Sequence, residues 1–309
     1  MTKSIYILIL LLCSLFISAQ SDYWQQHVEY KINAQLDTST HIIKAECGIQ
    51  YFNNSPDTLD RIYFHLWANA FSNKTSSFAD QALKMGMTDY YFADDSELGG
   101  YQEITVALSS EEGELQLIYL DDQKEIAYVP IKGGVPPGQE ICLIFYYELQ
   151  IPNYFARLGK SNNLYNMVAW YPKPAVYDRD GWHAMPYLDL GEFYSEFGSF
   201  DVSLSLPANY VVGATGQLQT ASELTFLKEK MAETSIHLEQ LNESIKKGLY
   251  TPEKRETPAS STTMKTIRYT AEQVHDFAWF ADKKFYVVGD EIALASGKKV
   301  ETYVMFTEL

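Results

Sequence analysis

From Val28 the apolar residues alternate without a break: Val28, Tyr30, Ile32, Ala34 and Leu36 share one side, and Glu29, Lys31, Asn33 and Gln35 share the other. A helix cannot hold a period of two on one face, whereas a strand with one wet face requires it. After the turn-forming run Asp37-Thr38-Ser39-Thr40 the alternation resumes. Ile43, Ala45, Cys47, Ile49 and Tyr51 now oppose Lys44, Glu46, Gly48 and Gln50. The two runs predict a long antiparallel hairpin, closed by the turn residues 53–57 and followed by a strand at 62–66.

The same period recurs at Leu115, Leu117 and Tyr119, at Ile126 and Tyr128, and most clearly at Ile141, Leu143, Phe145, Tyr147 and Leu149. Residues 201–206 and 210–213 add two short strands. Many strands separated by turn residues predict a mainly β chain, an antiparallel, saddle-like β-sandwich. The 23 tyrosines and 16 phenylalanines suit that class, because aromatic side chains pack well on pleated surfaces.

One stretch has a different period. Leu224, Leu227, Met231, Thr234, Leu238, Leu241 and Ile245 step by threes and fours, which places them on one stripe of a helix. Thr220 and Glu223 have capping-box spacing, while Lys246, Lys247 and Gly248, with Pro252 beyond, form a helix stop. A long helical insertion over about 221–247 is predicted, its stripe packed on the parent domain. A flexible return over 257–263 leads to a strand beginning near Thr266.

The N-terminus has Lys3, an apolar run over residues 5–17 and the small pair Ser18-Ala19. That is the pattern of a secretory signal peptide, residues 1–19, cleaved after Ala19, and it predicts a secreted or periplasmic chain. The run is shorter than the about 20 apolar residues of a membrane-spanning helix, so no integral membrane span is expected. A lipid anchor at Cys13 is the competing reading, although Leu12 occupies the place of a small residue. The net charge of -16 excludes nucleic acid and anionic membrane surfaces as partners, since both are repelled at long range. Cys47 and Cys142 are too few for a disulfide scaffold; a single pairing and two separate thiols both stay open.

Catalytic motifs are missing from the sequence. A zinc-peptidase helix needs two histidines four apart with a glutamate beside the first. His27, His41, His65, His183, His237 and His275 include no such pair, and none is followed by glutamate. There is no Gly-x-Ser-x-Gly elbow, and Gly99-Gly100 and Gly133-Gly134 are too short to cradle a phosphate. The acidic pairs Asp94-Asp95, Glu111-Glu112 and Asp121-Asp122 read as solvated loops, with weak calcium binding as the sharper alternative. The densest block is Trp170-Tyr171-Pro172-Lys173-Pro174-Ala175-Val176-Tyr177-Asp178, followed by Gly181-Trp182-His183 and Glu192-Phe193-Tyr194. Such a loop lines a cleft, packs a domain interface or plugs one end of the sandwich.

Several blocks in fixed order carry a resemblance. They are residues 53–59 running into 62–66, the block at 170–178, Phe200-Asp201-Val202 with residues 207–212, and Val274-His275-Asp276-Phe277-Ala278-Trp279. Together they resemble aminopeptidase N-like zinc metallopeptidases of the gluzincin group, secreted bacterial ones especially, over nearly all of the mature chain except the helical insertion. The resemblance implies a saddle-shaped β domain over residues 20–287, with the insertion at about 221–265, and the start of a truncated catalytic domain over 288–309. Intact relatives hydrolyse N-terminal peptide bonds with zinc-activated water. It further implies that the zinc ligands and general base lie beyond position 309, that this chain holds no cofactor and no catalytic residue, and that peptide substrate is met through the missing domain. In that family the β domain forms one wall of the substrate cleft. A polar side chain just before the Trp-Tyr-Pro-like block often holds the substrate's amino end. Here Met167-Val168-Ala169 precedes Trp170, so Asn166 is the nearest polar candidate, with Trp170 and Tyr171 as the cleft wall. The alternative is a stand-alone β-sandwich module binding a peptide or glycan through residues 170–192.

Overall fold

A computed structural model describes residues 23–109, 113–120, 122, 124–191, 193–249 and 255–307. The signal peptide, Cys13 and the acidic residues Glu111, Glu112 and Asp121 lie outside these. From the N-terminus, β1 (His27–Asp37), β2 (Ile42–Phe52) and β3 (Leu59–His65) precede a helical stretch that contains α1 (Ser77–Lys84). Then come β4 (Gly100–Leu108), β5 (Ile126–Val135) and β6 (Glu140–Gln150), followed by the short strands β7 (Gly159–Ser161) and β8 (Leu164–Met167). β9 (Gly198–Pro207) and β10 (Val211–Ala214) lead into the long helix α2 (Ala221–Lys246). The chain returns in β11 (Met264–Val274) and β12 (Trp279–Asp282) and ends in the hairpin of β13 (Tyr286–Ala293) and β14 (Lys299–Phe306).

The chain is mostly β, as the alternation predicts. Residues of β1 switch strictly between buried and exposed, and β1 pairs antiparallel with β2 from His27 opposite Phe52 to Asp37 opposite Ile42. The turn between them is set by Asp37, whose Oδ1 accepts from the backbone N–H of Ser39 at 2.8 Å and the Ser39 hydroxyl at 2.6 Å. The main sheet runs β11-β9-β1-β2-β6-β4, with short edge strands Gln217–Leu218 and Glu114–Leu115. The strand predicted through Leu115, Leu117 and Tyr119 is broken into Glu114–Leu115 and Ile118–Tyr119, which join different sheets.

One pairing departs from the antiparallel expectation. β1 and β9 run parallel, with Val28 opposite Gly198 through Gln35 opposite Ser205. Alternation reports which face a residue takes, not the direction of its neighbour, so this pairing could not be read from the pattern. Gly198 makes the approach possible: a Cβ there would stand 2.1 Å from the Val28 carbonyl oxygen.

Two four-stranded sheets cover the apolar side of the main sheet. One contains β3 and β5, and the other runs β10-β12-β8-β7. Phe64 of β3 meets Phe145 of β6 edge-on at 4.8 Å, and Tyr30 of β1 stacks on Phe200 of β9 at 4.3 Å. Each fully buried large apolar side chain contributes roughly 1.5–3 kcal/mol of transfer free energy, so this continuous core dominates stability. Cys47 faces the core, opposite Phe145, whereas Cys142 lies opposite Gln50 on the other face of the same sheet. A disulfide between them would need side chains that share a face, and both thiols are free.

α2 forms where the stripe predicts it, but only its first half is buried. Leu227 packs with Val211, Phe285 and Val287, while Ile236 and Ile245 are more than half exposed. The capping box does not form. The Thr220 hydroxyl instead accepts from the backbone N–H of Arg268, and Glu223 turns to Lys265 Nζ at 2.7 Å. Gly248, at φ +66°, provides the expected left-handed stop. The helix also braces the C-terminal hairpin: Thr234 Oγ1 accepts from the N–H of Val287 at 3.0 Å, and His237 stacks on Tyr286 at 4.8 Å.

Candidate functional site

The block at 170–178 closes on the block at 274–279. Trp170 and Tyr171 are 0% and 2% exposed, so both rings lie in the core and neither presents a free face. The Trp170 indole donates to the Phe277 carbonyl at 3.1 Å and meets Trp279 edge-on at 6.1 Å. The Tyr171 hydroxyl donates to Asp276 Oδ1 at 2.7 Å. Lys173 Nζ stands 2.9 Å from the same oxygen and also donates to the His275 carbonyl at 3.1 Å. Burial alone would raise the Asp276 pKa, but Lys173, Tyr171 and the Phe277 N–H together hold it below the usual carboxylate range. Ala169, just before Trp170, takes a left-handed φ of +57°, a strained conformation that its packing sustains.

The histidines are structural partners. His65 is fully buried, stacks on Trp67 at 4.2 Å and accepts from the Met185 N–H through Nε2. Burial, then the charge of Lys173, pushes its pKa down to about 3, so it is neutral. His41 Nδ1 bonds the Tyr165 hydroxyl at 2.8 Å, and His183 Nε2 bonds Asp178 Oδ1 at 2.8 Å. Tyr194 donates to the other oxygen of Asp178 at 3.1 Å. Beneath this cluster Glu196 is 8% exposed, and burial, with Asp178 nearby, raises its pKa to about 7 against the Gln26 N–H. Among the described residues no group of three or more His, Cys, Asp or Glu side chains could hold a metal ion.

Asn166 lies elsewhere. On β8 the side chains of Tyr165 and Met167 enter the core, and Asn166 takes the opposite face. Its register partners are Phe280 of β12 and Gly159 of β7, and Phe280 in turn lies opposite Gly213 of β10. The row Gly213, Phe280, Asn166, Gly159 thus crosses one face of the four-stranded sheet. Phe280 is 39% exposed, and the Asn166 amide makes no side-chain hydrogen bond among the described residues. Met305 of β14 reaches the same face, its sulfur 3.0 Å from where a Cβ on Gly213 would stand. Asn166 is itself only 9% exposed, and Val211 and Leu164 on the same face pack with Leu227, Phe285 and Val287, so α2 and the C-terminal hairpin cover part of this face. Of the three residues singled out by sequence, Asn166 alone lies on the outer face of its sheet, and it too is buried. Phe280 was missed because an aromatic residue within an apolar run carries no sign of facing outward.

No family model and no curated protein matches the chain. Among solved structures it is similar to a point mutant of the M1 zinc metallopeptidase from Deinococcus radiodurans, at 10% identity and a TM-score of 0.45, covering 91% of this chain and 47% of that one. The same enzyme bound to a Tyr-Ser-Ala substrate matches at 10% identity and a TM-score of 0.44, covering 91% and 47%. A two-domain M1 zinc metallopeptidase mutant bound to L-tryptophan gives 10% identity and a TM-score of 0.45, covering 92% and 48%. The chain spans about half the length of the structures it matches.

Proposed function

We propose that this chain is the N-terminal, non-catalytic part of a secreted zinc aminopeptidase. In this reading the zinc, its ligands and the general base belong to a catalytic domain continuing from the β13–β14 hairpin. The face carrying Asn166 and Phe280 forms one wall of the peptide cleft, and Trp170 and Tyr171 form the layer that supports it. The observation that carries the reading is the closure between sequence blocks: Tyr171 and Lys173 meet Asp276 across more than 100 residues of chain. Blocks that carry the family resemblance therefore act as one structural unit, as parts of an inherited frame should.

The test is to read the coding sequence beyond codon 309 in all three frames. A His-Glu-x-x-His segment with a downstream glutamate is the expected result. A long open stretch without that segment overturns the reading.

A further inference from the structure

The outer face of the main sheet carries a depression of about 530 Å³, within the usual size range of small-ligand sites. It arises from the order of residue sizes across the strands. Ser203 and Ser205 on β9 are short, and Asn33 and Gln35 on β1 lie beside them. Longer side chains, Lys44 on β2, Tyr146 and Glu148 on β6 and Glu103 on β4, raise the far bank. Ion and hydrogen-bond pairs fix the rim: Lys44 with Glu148, and Ser205 with Thr266 at 2.7 Å.

Most polar groups of the depression have no internal hydrogen-bond partner among the described residues. Asn33, Gln35, Glu46, Glu103, Thr105 and Ser203 make no side-chain hydrogen bond among the described residues. Tyr146 stands among them, 47% exposed, with no ring partner among the described residues and its hydroxyl unbonded. Amides, carboxylates and hydroxyls around one open aromatic ring match a sugar, whose hydroxyls both donate and accept and whose C–H face lies flat on a ring. Charge narrows the class. Glu46, Glu103 and Glu148 outnumber Lys44 three to one, which repels acidic sugars.

We infer that this face binds a neutral oligosaccharide, with Tyr146 as the stacking platform and Asn33 and Gln35 as hydrogen-bonding anchors. It is a different surface from the Asn166 face, so its failure would leave the aminopeptidase reading standing, and the reverse. The test is calorimetric titration of the full chain with cellohexaose, maltohexaose, chitohexaose and mannohexaose, with hexalysine and hexagalacturonate as charged controls. At least one neutral hexasaccharide should bind, hexagalacturonate should not, and both Tyr146→Ala and Asn33→Ala should weaken binding about 10-fold. Both positions are exposed, so thermal melts should be unchanged and serve as the folding control. The proposal is overturned by silence from all four neutral sugars, by binding that survives both substitutions, or by binding of hexalysine alone.

Discussion

Lys173–Asp276 and Lys265–Glu223 are the same kind of pair, with nitrogen to oxygen distances of 2.9 and 2.7 Å, but they hold their protons differently. Asp276 receives three donors, Lys173, Tyr171 and the Phe277 N–H, and its pKa stays low despite burial. Glu223 has Lys265 alone, and burial wins, raising its pKa. Lys265 is also shared, since it donates to the Tyr210 carbonyl at 2.6 Å. At Asp276 the lysine is the largest stabilising influence and Tyr171 and the Phe277 N–H add to it, whereas Glu223 has no such additional donors. One pair locks the motif blocks inside the body; the other fastens the helical insertion.

The sharpest way to break this contrast is Lys173→Met. It leaves a buried carboxylate without its cation, held only by Tyr171 and the Phe277 N–H, and should cost about 3–5 kcal/mol in urea unfolding. Lys265→Met should cost less, about 1–2 kcal/mol, because Glu223 can neutralise itself. Equal losses would show that the donor count does not matter. The two also differ in pH dependence. Asp276 contributes stability above its unfolded pKa that is lost as pH falls through its lower folded value. Glu223, raised on folding, contributes stability that is present below its unfolded pKa and lost as pH rises through its folded value.

Glu196 extends the comparison to a carboxylate with no cation beside it. Its folded pKa of about 7 means that stability falls as pH rises from its unfolded value to about 7. Glu196→Gln should flatten that slope and raise the melting temperature at pH 8 by about 2–4 °C, roughly 1 kcal/mol. An unchanged slope between pH 5 and about 7 would contradict the assignment.

How far the sequence could be read follows from what each signal contains. The β1–β2 hairpin was legible because every residue of it obeys one period, and Asp37 supplies its turn. The parallel neighbour β9 was not, because its direction leaves no trace in alternation. The α2 stripe located the helix, but its capping residues are taken by tertiary partners, Thr220 by Arg268 and Glu223 by Lys265. The short helices between β3 and β4, including α1, gave no periodic run long enough to notice. At 170–178 composition left plug and cleft equally open. Burial of Trp170, Tyr171 and Lys173 makes the block an internal fastener, and Asn166, though on the other face of its sheet, is buried as well.

The proposed function puts the frame in this chain and the chemistry in a separate domain. Its most direct test is release of p-nitroaniline from alanine p-nitroanilide by the purified 309-residue chain in the presence of zinc. No release above the buffer rate is expected. Release that depends on zinc and disappears with a chelator would contradict it.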